Sequence, residues 1–104
     1  MTYQLRDIKG SVVVITGATT GIGAAAAKQL VELGCKVVLN ARNEAKLQEM
    51  VASLGADNAA YQAGDSSIPD VSRVVAKKAL DTFGTIDCVV PNAGIGMYGS
   101  VLDY

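Results

Sequence analysis

The 104 residues carry 9 basic and 10 acidic side chains, 18% are charged and 50% are hydrophobic. This length allows one domain or part of one, and the balanced charge excludes a disordered tail and a nucleic-acid grip. Histidine is absent, and Cys35 and Cys88 stand far apart in sequence, which excludes His-based catalysis, a zinc knuckle and a CxxC redox pair, so no metal site is expected. Both thiols are expected to be reduced and buried. Apolar runs fall well short of the roughly 20 residues that cross a bilayer, so a soluble cytoplasmic protein without a membrane partner is expected.

In chain order, residues 11–16 form a continuous β-branched run, the pattern of a strand covered on both faces. A glycine-rich turn at 17–23 leads into a predicted helix over 24–33, with Ile22, Ala26, Leu30 and Leu33 on one stripe and Gly34 as its left-handed stop. Residues 36–40 repeat the strand signature. Asn43 then caps a helix whose Leu47, Met50, Val51 and Leu54 share a face, closed by Gly55. Residues 58–62 are a weaker strand because alanines dilute the β-branched content. Ser67 is predicted to cap the third helix, with Asp70 reaching back and Val71, Val74, Val75 and Phe83 following before the stop at Gly84. Residues 86–90 read as a fourth strand. Strands alternating with helices across short connections predict an α/β doubly wound parallel sheet with helices on both faces.

The most specific feature lies between the first strand and the first helix: Thr16-Gly17-Ala18-Thr19-Thr20-Gly21-Ile22-Gly23. Gly17 permits a sharp turn off the strand, Gly21 leaves room for backbone to approach a pyrophosphate, and Gly23 permits close packing of helix on sheet. The N–H groups of the new helix would face the phosphate, aided by the helix dipole, and Thr19 and Thr20 add hydroxyl donors. A P-loop is excluded because no Gly-Lys-Ser/Thr follows. About 20 residues beyond the glycines an acid would read the ribose of NAD. Here the stretch is Leu39-Asn40-Ala41-Arg42-Asn43, which has no acid. The Arg42 guanidinium, beside Asn43, instead suits a 2′-phosphate, although a solvated surface arginine also fits.

These residues, with Asp65 after the third strand, Phe83-Gly84-x-Ile86-Asp87 and Asn92-Ala93-Gly94, resemble the amino-terminal half of a short-chain dehydrogenase/reductase of the classical type. The resemblance implies that residues 1–104 are the dinucleotide-binding portion of a partial Rossmann-type sheet in the order 3-2-1-4, with the remainder of the domain lying elsewhere. It also implies that Asp65 and Ser66 contact the adenine and that Asn92, Ala93 and Gly94 line the adenosine ribose. Read from the residues alone, Asp65 equally suits a strand-end turn. NADP(H) is expected over NAD(H), since Ala41 stands where NAD-preferring members carry an acid. Two departures stand out. Pro91 replaces the first Asn of the family's Asn-Asn-Ala-Gly, and the family's Ser and Tyr-x-x-x-Lys are missing: none of Tyr3, Tyr61, Tyr98 and Tyr104 has a lysine four places on. The implied function is the NADP(H)-binding half of an oxidoreductase acting on a small-molecule carbonyl or alcohol, with residues 95–99 beside the nicotinamide. A stand-alone nucleotide-binding module without catalysis is the second expectation. The far edge of the fourth strand, left without a neighbour, predicts self-association.

Overall fold

The computed structural model describes residues 9–91. Its elements alternate as β1 (Val12–Thr16), α1 (Gly21–Glu32), β2 (Lys36–Ala41), α2 (Glu44–Leu54), β3 (Ala59–Ala63), α3 (Pro69–Phe83) and β4 (Cys88–Pro91). The four strands are parallel in the order β3-β2-β1-β4, as the resemblance implied. Register places Val14 between Val38 and Val89. Because side chains alternate along a strand, β1 divides its run between two layers. Val13 and Ile15 join Ala27, Leu39 and Leu47 under α1 and α2, whereas Val12 and Val14 join Val38, Val75 and Ala79 under α3. Burial of both faces explains why β1 and β2 have no polar/apolar alternation.

Several local expectations are corrected. The buried face of α1 runs through Gly23 and Ala27, not Ile22 and Ala26; Ile22 is 72% exposed and Leu33 is exposed as well. Two small residues bring the helix axis close to the sheet and set its phase, and a shift of one residue turns a side chain by about 100°. Ser67 does not cap α3. The cap position is Ile68, without a side-chain bond, and Pro69 begins the helix, while the Ser67 hydroxyl donates to Asp65. Val74 faces solvent, since the sheet contact follows Val75 and Ala79. Cys35 is buried as expected but Cys88 is exposed, because it lies on β4, which pairs only with β1 among the described strands.

The weak third strand is present, displaced by one residue. The fourth begins later than predicted: Asp87 accepts the Val12 N–H at 2.7 Å through its carboxylate and donates its own N–H to the Val12 carbonyl at 2.9 Å. Those two bonds dock the strand entry, the ladder opens at Cys88 opposite Val13, and Ile86 turns into the α3 cluster. Gly34, Gly55 and Gly84 take positive φ at the helix ends where stops were expected. Among the described residues no helix is long and apolar enough to cross a membrane.

Candidate functional site

Parallel strands bring all their carboxyl ends to one edge, where a crevice forms between the loops that leave them. The first loop leaves β1 at Gly17, whose φ of +63° is the left-handed conformation that glycine adopts without strain. Ala18 is buried and donates its N–H to the Asn40 carbonyl at 3.0 Å, which fastens the loop to the end of β2. Thr20 caps α1. Its hydroxyl accepts the Gly23 N–H at 3.2 Å and donates its single proton to the Gly17 carbonyl at 2.9 Å, so the hydroxyl read as a ligand donor is already committed within the loop. Thr19 is half-buried.

The amides of Gly21 and Ile22 have no hydrogen-bond partner among the described residues. Among the described residues a Cβ built at Gly21 meets nothing within 4 Å, so packing among them gives no reason for a glycine there. A helix start with unpartnered amides and no side chain in front of them suits an anionic oxygen approaching along the axis. Gly23, by contrast, is buried in the α1 contact, the role read from the sequence.

The second loop leaves β2 at Arg42, which is exposed and makes no hydrogen bond or close ion pair among the described residues. Asn43 does cap α2, its Oδ1 accepting the Lys46 N–H at 3.1 Å, and this commits the side chain to the helix. The first acid beyond the strand, Glu44, accepts the Tyr61 hydroxyl at 3.0 Å, and Gln48 donates to the same phenol oxygen. The carboxylate that follows β2 is therefore turned to the α2–β3 contact.

The third loop leaves β3 at Gly64, where φ is +150° and an added Cβ would stand 2.8 Å from Val71 Cγ1. Sequence reading missed this position, although a glycine ending an alanine-rich strand was the available signal. Asp65 then folds into a turn: its Oδ1 accepts the Ser67 N–H at 2.9 Å and the Ser67 hydroxyl at 2.7 Å. These bonds, the hydroxyl's first and the amide's second, hold the carboxyl below the usual carboxylate range, and the positive charge of Arg42 adds to the effect. Asp65 is thus the strand-end turn residue that its type allows, with its Oδ2 still open among the described residues. Ser66 lines a cleft of about 150 Å³ with Thr16, Asn40, Val71 and Val89, between the strand ends and α3.

Gly17, Thr19, Thr20, Arg42, Asn43, Asp65 and Ser66 therefore lie on the three loops that leave β1, β2 and β3 at one sheet edge, and Gly21, Ile22 and Gly23 form the first turn of α1 beside the first of them. Asn92, Ala93 and Gly94, like residues 95–99, lie outside the described residues. Chemically the edge offers main-chain donors on one loop and, on the next, a guanidinium without a partner among the described residues, groups that suit phosphate esters. No group of three or more His, Cys, Asp or Glu among the described residues is placed to hold a metal ion.

Comparison with known proteins agrees with this geometry. Residues 11–104 match the family model described as short chain dehydrogenase. An uncharacterized oxidoreductase of Bacillus subtilis, YxnA, is 40% identical over 103 residues, covering 96% of this chain and 29% of that protein. The crystal structure of L-sorbose reductase from Gluconobacter frateurii, complexed with NADPH and L-sorbose, superposes with a TM-score of 0.77 at 35% identity, covering 83% of this chain and 34% of that one. For 3-ketoacyl-(acyl-carrier-protein) reductase from Brucella melitensis, complexed with NADH, the TM-score is 0.75 at 33% identity, with 79% and 33% covered. The chain spans between 29% and 43% of the length of the curated relatives it matches.

Proposed function

The chain belongs to the short-chain dehydrogenase family, and from that premise we propose that it is the adenosine-binding half of a cytoplasmic NADP(H)-dependent oxidoreductase acting on a small-molecule carbonyl or secondary alcohol. The observation that carries the reading is the start of α1, where two amides without a partner among the described residues meet no described atom in front of Gly21. The residues present fit a dinucleotide. Gly21 and Ile22 would hold the pyrophosphate, Arg42 the 2′-phosphate, Asp65 and Ser66 the adenine, and Asn92, Ala93 and Gly94 the adenosine ribose.

Preference for the 2′-phosphate follows from charge. Among the described residues the Arg42 side chain has no hydrogen bond to give up, and the first acid after β2 in sequence, Glu44, accepts the Tyr61 hydroxyl, so little at the end of β2 accepts from a ribose hydroxyl. A guanidinium at a helix start opposes the helix dipole, a cost that a bound dianion would offset. When bound, the nicotinamide supplies or takes up the hydride. This chain's residues bind and orient the far end of the cofactor, and the proton donor for the alkoxide has to come from residues other than those at the described edge.

Calorimetric titration of NADPH and NADH against the wild-type protein and Arg42→Ala tests the reading. A charged hydrogen bond worth about 1.5–3 kcal/mol gives NADPH a roughly 10- to 100-fold advantage, most of which Arg42→Ala should remove. An unchanged ratio sinks the assignment.

The second reading is a nucleotide-binding module that performs no hydride transfer. Carbonyl-dependent NADPH oxidation by the whole protein separates the two.

A further inference from the structure

Asn40 is the polar side chain buried in the core among the described residues, with 1% of its surface exposed. It sits in β2 where the neighbouring positions are Val, Leu and Ala, and its amide does two things. Nδ2 donates to the Gln62 carbonyl at 2.9 Å and to the Gly64 carbonyl at 3.2 Å, while Oδ1 is buried with no hydrogen-bond partner among the described residues. An orphaned buried acceptor is unfavourable, and a leucine of similar shape would avoid it. The amide therefore has to be explained by what Nδ2 holds.

It holds the exit of β3. The Gly64 N–H reaches the Ala41 carbonyl at 2.9 Å, and the Asn40 carbonyl takes the Ala18 N–H at 3.0 Å. Through its main chain and its side chain, residue 40 fastens both the turn into α1 and the Gly64-Asp65 turn to the end of β2. Arg42 lies two residues beyond it on one side, and Asp65, whose carboxyl feels the Arg42 charge, lies one residue beyond the clamped Gly64 on the other. Gly64 itself has no slack, because Val71 packs where its Cβ would be.

We infer that Asn40 is a positioning residue for nucleotide recognition: by clamping the Gln62 and Gly64 carbonyls it fixes the distance between Arg42 and the Asp65-Ser66 turn, and thereby sets the preference for a 2′-phosphate. The inference rests on the nucleotide-binding reading above. It assigns no ligand contact to Asn40, which acts through the loop it holds.

The test uses the whole protein with Asn40→Leu, which removes both donors, and Asn40→Thr, which retains one hydroxyl donor. Adenosine 2′,5′-bisphosphate and AMP are titrated against each, and amide hydrogen exchange is followed at residues 64–67. Asn40→Leu is expected to lower the affinity ratio of bisphosphate to AMP about fivefold, on the scale of one lost hydrogen bond, and to speed exchange at 64–67, with Asn40→Thr between it and wild type. In an Arg42→Ala background Asn40→Leu should leave the ratio unmoved, since the two residues act on one contact. A lower melting temperature with the ratio unchanged would reduce Asn40 to a core residue and overturn the inference. So would wild-type exchange at 64–67 in both variants. A wild-type protein that binds neither nucleotide removes the nucleotide reading and the inference together, whereas wild-type binding with an unmoved ratio in the variants removes the inference alone.

Discussion

A methyl group added at Gly21 separates the demands of the fold from those of the ligand. The position opens α1, has no positive φ, and a Cβ there meets nothing within 4 Å. For folding, Gly21→Ala should therefore be stabilising, because alanine restricts the unfolded chain; compatible replacements of this kind gain about 0.4–1 kcal/mol, or roughly 2–8 °C in melting temperature for a domain of this size. For binding the same methyl stands before the free amides of Gly21 and Ile22. Losing one charged hydrogen bond, worth about 1.5–3 kcal/mol, weakens a phosphate ligand by roughly 10- to 100-fold. Gly17→Ala supplies the contrast: at φ +63° an alanine is strained by about 1–2 kcal/mol, so both stability and binding should fall. Thermal melts paired with calorimetric titration of adenosine 2′,5′-bisphosphate read both quantities. If Gly21→Ala melts below wild type, or binds the bisphosphate equally well, the argument that this glycine answers to a ligand and not to the fold is refuted.

The Asp65 carboxyl, held below its usual range by Ser67 and Arg42, contributes stability that is present above its unfolded value near 3.8 and lost as pH falls through the lower folded value. Melting temperatures of wild type and Asp65→Asn should therefore differ most above pH 4 and converge in more acid solution, and a gap that widens there would contradict the assignment. The 104-residue chain alone should reduce no carbonyl substrate above background; cofactor-dependent turnover that copurifies with it and vanishes in Gly17→Val would reveal a proton donor in these residues. On its own the chain should also self-associate through β4, which pairs only with β1 among the described strands and leaves Val89 54% exposed. Sedimentation at several concentrations checks this, and a concentration-independent monomer with a cooperative melt would show that four strands suffice.

How far the fold was legible depended on whether one local rule governed each element. β1 and β2 were readable because burial on both faces leaves a continuous apolar run, and α2 because Asn43, Leu47 and Gly55 mark its cap, core face and stop. The phase of α1 was not readable. Four consecutive alanines give no contrast between faces, and the side that packs is selected by the small size of Gly23 and Ala27 instead of by apolarity, so Ile22 attracted a role in the core that it does not have. The false cap at Ser67 arose from two competing uses of one residue type: serine caps helices and also closes aspartate turns. Asp65, two residues earlier, takes the Ser67 hydroxyl at 2.7 Å. Site residues whose role is backbone shape, Gly17 and Gly23, were legible from spacing. Asn40 and Gly64 were not, because their roles depend on a contact between β2 and β3 that is about 24 residues apart in sequence.

The described edge collects its binding groups from main-chain amides, one guanidinium and a clamped turn, none of which has to change protonation state to act. Tyr61, the tyrosine within the described residues, is on β3 at the outer end of the sheet, its hydroxyl bonded to Glu44 and Gln48 on the α2 side, away from the loop that opens α1. Under the proposed function, energy gathered from the adenosine end is present equally in the ground state and the transition state, and such uniform binding lowers KM without raising kcat. On that proposal the residues of this half would govern which cofactor is held and how tightly, and the choice of carbonyl and the acceleration of its reduction would belong to groups that meet the nicotinamide.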